Sequence, residues 1–181
     1  MRMRPFVLAV VCLGAAASTS SAQTARPAAA NPFGEPTRAS TSHLTVESTI
    51  SHTTVAPGAR VTVTVDVTPR RTMHVYAPGK HDYQVVSLNI APEPWLRADA
   101  TKYPASESYH FEPTNETIPV YSKPFRLTRE VIILDTPEAK QKLAGQSSVT
   151  LAGVLEYQAC DDKLCYQPTK VPVRFTVTMK P

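Results

Sequence analysis

From Arg60 to Val67 the chain alternates without a break, with Val61, Val63, Val65 and Val67 on one side and Thr62, Thr64 and Asp66 on the other. A repeat of two is the period of a strand, so this segment is predicted to bury one face and show the other to water. The same texture, rich in β-branched residues, marks strands at His43–Ile50, Val85–Ile90, Phe125–Leu134, Ser148–Gln158 and Val171–Met179. Clusters such as Ala56-Pro57-Gly58 and Ala77-Pro78-Gly79 punctuate them as turns. One helical turn is predicted over Thr136–Leu143, with Thr136 as the N-cap and Pro137 at the first helical position, where its missing N–H costs nothing. About seven or eight short strands with no internal repeat predict one all-β domain, an immunoglobulin-like antiparallel β-sandwich.

The N-terminus reads differently. Arg2 and Arg4 precede an apolar run from Phe6 to Ala17, and Ser20-Ser21-Ala22 supplies small residues before Gln23. This is the pattern of a secretory signal over residues 1–22, followed by a flexible Ala/Pro/Ser/Thr-rich linker over 23–42 and the domain over 43–181. No later stretch approaches the roughly 18 apolar residues of a membrane helix. The mature protein is therefore expected outside the cytoplasm, not membrane-spanning and monomeric. The formal charge of +4 includes the signal arginines. The remaining basic residues are scattered, without a stripe or interleaved aromatics, which argues against nucleic-acid binding.

Removing the signal removes Cys12 and leaves Cys160 and Cys165, an even count that favours a disulfide in an oxidising compartment. In one extended strand their Cα atoms would lie about 16 Å apart, whereas a disulfide needs about 7 Å or less. If they bond, Asp161–Leu164 must reverse the chain, and the pair should close the hairpin between the last two strands. A loop this short gives a structural staple only about 2 kcal/mol, against roughly 4 kcal/mol for a crosslink between distant strands. Spacing alone leaves staple and exchange site both open. Asp161 and Asp162 should raise the thiol pKa values by like-charge repulsion, with Lys163 partly opposing. A Cu(I) site built from the two thiolates and His74, His81 or His110 is the metal alternative, but no Met-rich or His-rich cluster accompanies it, so no metal or other cofactor is assigned. Asn115-Glu116-Thr117 matches a glycosylation sequon.

The segment Tyr157-Gln-Ala-Cys-Asp-Asp-Lys-Leu-Cys-Tyr-Gln-Pro168 and the strand after it closely resemble the N-terminal periplasmic domain of the DsbD family of thiol:disulfide interchange proteins, the cytochrome c biogenesis transmembrane reductases. Met73–Gly79 and Pro119–Ser122 resemble family segments in the same order, and the likeness spans about residues 43 to 180. The resemblance implies a periplasmic immunoglobulin-like module that exchanges electrons with thioredoxin-fold redox proteins and a membrane thiol reductase. It implies that Cys165 attacks a client disulfide and Cys160 resolves the mixed disulfide. It also implies a cap loop within Tyr109–Thr117, with Phe111 or Tyr109 as the covering aromatic, and a cavity lined by Tyr76 and Tyr166. The sequence contains no membrane-spanning electron carrier and no thioredoxin-like domain, so the module would need a separate electron donor. The rival expectation is a non-catalytic immunoglobulin-like binding or chaperone domain whose disulfide is structural.

Overall fold

The structure is a computed structural model that describes residues 37–112 and 115–180. The predicted signal and most of the predicted linker lie outside them. Strand order runs β1 (Thr37–Ser40), β2 (Leu44–Ile50), β3 (Thr54–Val55), β4 (Arg60–Pro69), β5 (His74–Tyr76), β6 (Ser87–Ile90) and β7 (Leu96–Ala98). It continues with β8 (Glu107–Phe111), β9 (Glu116–Tyr121) and β10 (Phe125–Ile133), then the helix α1 (Pro137–Leu143), then β11 (Ser148–Tyr157), β12 (Ala159–Cys160) and β13 (Thr169–Met179).

Two sheets form the body, ordered β1-β2-β4-β10-β7 and β3-β13-β11-β6. The alternation decides their faces. Val61, Val63, Val65 and Val67 of β4 are at most 1% exposed. On β13, Val171, Val173, Phe175 and Val177 are buried while Lys170, Arg174 and Thr176 are exposed. Both sets join one continuous apolar cluster, the core of an antiparallel sandwich. Among the described residues, the short contact of β3 with β13 is the parallel exception. Gly153 on β11 permits a close approach, because a Cβ there would stand 2.6 Å from the Asn89 carbonyl oxygen of β6. Helix α1 forms where its signals predict, with the Thr136 Oγ1 accepting a hydrogen bond from the Ala139 N–H at 3.2 Å.

The structure moves one boundary. Residues Thr37–Ser40, assigned by composition to the linker, form β1 and pair antiparallel with β2 from Thr37↔Ser48 to Ser40↔Thr45. Only Ala39 among them is apolar and packs on the core, too little for an alternation to show, but an edge strand needs only backbone hydrogen bonds from its one neighbour. The ordered domain thus already includes Thr37, ahead of the expected start at His43.

A third sheet, β12-β5-β9-β8, lies beside the sandwich and carries the cysteines. Its strands have two apolar sides. Val75 of β5, Tyr121 of β9 and Ala159 of β12 belong to the main core. Their chain neighbours Tyr76, Val120 and Cys160, together with Ile118, form a second small cluster against which Tyr83 and Tyr109 pack. Because successive side chains point to opposite faces, these short strands are held by the core on one side and build the site on the other.

Candidate functional site

Strands β11 and β13 pair in register from Ser148↔Thr178 to Tyr157↔Thr169. The cysteine segment is the connection beyond that last pair, as the hairpin expectation requires. It does not simply extend the hairpin, however. Ala159 and Cys160 leave the β11–β13 sheet and pair with Val75 and His74 of β5. The Ala159 carbonyl accepts from the Tyr166 N–H at 2.8 Å, and Cys160 faces Cys165 across an isolated antiparallel bridge. The two cysteines are joined by a disulfide with their Cα atoms 4.1 Å apart.

The two sulfurs sit in unequal surroundings. Cys160 is only 2% exposed, locked between β5 and the small apolar cluster. Cys165 is exposed, and Leu164 before it is an exposed apolar side chain at 49%. The Tyr76 hydroxyl lies 2.9 Å from Cys160 Sγ and 3.1 Å from Cys165 Sγ. Disulfide sulfurs carry no proton, so the tyrosine is the donor to both. Burial, reinforced by Tyr83, Glu116 and Tyr109, pushes its pKa up to about 12, which keeps that donor proton in place at neutral pH.

Around the sulfurs stand His74, Tyr76, Tyr109, Phe111 and Ile118, enclosing a cavity of about 10 Å³. That is no more than one water's worth of space, so this side is closed to a partner. The closing element is the β8–β9 hairpin, which pairs from Glu107↔Val120 to Phe111↔Glu116 and contributes Tyr109, Phe111 and Ile118. Asn115 adopts φ 54°, a left-handed conformation that asparagine tolerates, and its N–H donates to the Glu112 carbonyl at 3.2 Å. Burial, then the charges of Asp162 and Asp161 on the cysteine loop, push the Tyr109 pKa up.

No family model matches this chain, and no curated protein matches it. Among solved structures it is similar to the N-terminal periplasmic domain of ScsB from Proteus mirabilis, at 14% identity and a TM-score of 0.49. The match covers 76% of this chain and 47% of that one, so the chain spans about half the length of that structure.

Of the residues expected at the site, the structure brings Cys160, Cys165, Tyr76, Tyr109 and Phe111 together. Tyr166 goes elsewhere. Its ring packs on His43 at 4.5 Å and against the main core, and its hydroxyl donates to Asp161 Oδ2 at 2.9 Å, so it braces the loop from behind instead of lining the cavity. The three histidines weighed as metal ligands are dispersed. His74 lies opposite Cys160, the His81 Nε2–H donates to the Ala77 carbonyl at 2.8 Å, and exposed His110 pairs with Thr117. Among the described residues no group of three or more His, Cys, Asp or Glu is placed to hold a metal.

Sequence reasoning named two further residues without finding the roles they take here. His74 is 4% exposed, with its ring 4.4 Å from that of Tyr109 and 5.9 Å from that of Tyr76. Burial lowers its pKa, with Asp162 and Asp161 pulling the other way. The signal was present in His74-Val75-Tyr76, but a strand buried on both faces shows no alternation. The second is Asp161, whose carboxylate turns inward on its own loop. Oδ1 accepts from the N–H groups of Lys163 at 2.8 Å and Leu164 at 2.9 Å. Those backbone bonds, then the Tyr166 hydroxyl, hold its pKa below the usual carboxylate value.

Proposed function

We propose that this chain is a periplasmic thiol:disulfide exchange module of the DsbD N-terminal type, passing electrons to or from thioredoxin-fold partners through Cys160 and Cys165. The observation that carries the reading is the asymmetry of the pair: one cysteine exposed beside an apolar residue, the other buried, with one tyrosine hydroxyl reaching both sulfurs. A structural staple has no need of an exposed cysteine. An exchange site needs one, because displacement at sulfur requires in-line access.

In the reducing direction, the Cys165 thiolate attacks one sulfur of a client disulfide and expels the other as a thiolate. The Cys160 thiolate then attacks Cys165 Sγ in the mixed disulfide and expels the second client thiolate. The client gains two electrons, and the Cys160–Cys165 bond re-forms. Both released thiolates take protons from solvent. A separate membrane thiol reductase would return the module to the dithiol.

The test is trapping. With Cys160→Ser the resolving sulfur is gone, and a mixed disulfide between Cys165 and a thioredoxin-fold protein is expected on a non-reducing gel of periplasmic extract. With Cys165→Ser little or none is expected, since Cys160 is covered. Equal trapping by both would overturn this division of labour. No adduct from either, in a strain that has a membrane thiol reductase, would favour the binding module with a structural disulfide.

A further inference from the structure

Beside the cysteines, the sequence offers Asp161 and Asp162 only as a pair of like charges acting on the thiols. The geometry separates the two. Asp162 is exposed to solvent, whereas Asp161 folds the loop that the disulfide closes. With one oxygen taking two successive backbone N–H groups, Asp161 forms the side-chain-to-backbone turn typical of aspartate and asparagine. Its own N–H donates to the Leu164 carbonyl at 3.0 Å, so the reversal is closed from both sides. The other carboxylate oxygen takes the Tyr166 hydroxyl, and that ring rests on His43, whose Nδ1 lies 3.3 Å from the Tyr157 hydroxyl. The loop is thereby fastened to β11 and to the chain entering β2 by contacts that use neither sulfur.

We propose that Asp161 is a positioning residue that sets the redox poise of the Cys160–Cys165 pair by holding the reduced loop in the shape of the oxidised one. The inference rests on the exchange reading above. A dithiol whose sulfurs are kept close has a high effective concentration of one for the other, and disulfide formation is favoured accordingly. The coupling is reciprocal: a turn that favours the disulfide is itself favoured by it. When glutathione reduces the pair, two glutathione thiols supply two electrons and two protons, the Cys160–Cys165 bond breaks, and one glutathione disulfide forms. Loss of the turn should shift that equilibrium toward the dithiol.

Geometry and charge make opposite demands on substitutions here. Asp161→Asn keeps an oxygen that can accept the two N–H groups but loses the charge. Asp161→Glu keeps the charge but places it one methylene too far for the turn. Asp161→Ala loses both. Each full-length mature protein is equilibrated with glutathione buffers, quenched by alkylation and read by mass. The expected result is an equilibrium displaced toward the dithiol by about tenfold for Asp161→Ala and Asp161→Glu, equivalent to about 30 mV more oxidising, with Asp161→Asn within about twofold of the parent. If Asp161→Ala does not fold, the Glu and Asn variants still decide the matter. A shift in Asn without one in Glu would overturn the proposal in favour of a charge effect, and unchanged equilibria in both would overturn it outright. If the parent protein itself fails to equilibrate with glutathione, the exchange reading falls first and takes this proposal with it.

Discussion

His74 stands across from Cys160 on β5, boxed between the rings of Tyr76 and Tyr109. Its folded pKa is depressed below the ordinary 6.5 by burial, against the pull of Asp162 and Asp161. The unfolded chain therefore takes up a proton at a higher pH than the folded domain does. The stability that follows is fully present above pH 6.5 and is lost as pH falls toward the folded value. Urea midpoints measured at about pH 7.5 and about pH 5 should show the parent losing more on acidification than His74→Phe, which has no proton to take up. Chemistry at this scale was only partly legible in the sequence. Cys160, Cys165 and Tyr76 stand out by spacing and by resemblance. The roles of Asp161 and Tyr166 do not, because a carboxylate's acceptors depend on a turn that forms only once Ala159 and Cys160 have joined β5.

Among the elements, the long alternating strands were readable to within two residues at their ends, and the helix by its cap. Strand β5 and the adjoining part of β9 were visible only as family-like segments, since both faces of these strands are covered and the two-residue period vanishes. The β8–β9 hairpin carries the clearest element-level prediction. Phe111 sits at its tip, half-buried against the cavity that holds both sulfurs. Phe111→Ala should open that closed side and speed reduction of the disulfide by dithiothreitol about threefold or more, with a stability loss of only about 1 kcal/mol. Stopped-flow reduction beside a thermal melt checks both parts. An unchanged rate would mean that partners already reach the disulfide freely from the exposed face of Cys165.

In the whole molecule, the main core of the sandwich is built without either cysteine. That core is one continuous cluster built from both sheets, whereas Cys160 belongs to a satellite cluster on the third sheet and Cys165 is exposed. The double variant Cys160→Ser, Cys165→Ser should therefore stay folded and lose no more than about 2 kcal/mol, the amount expected for so short a loop. Urea melts at equal pH measure it, and an unfolded double variant at room temperature would mark the bond as a staple. The position of the site along β13 has a practical consequence. That strand leaves the cysteine loop at Thr169 and runs to Met179, about 33 Å away at strand rise. Lys180, just beyond it, is exposed. A fluorophore or sensor surface coupled through Lys180 would sit far from the cysteine loop, leaving Cys165 turned toward solution and the pair free to report the redox state of whatever is passed over it.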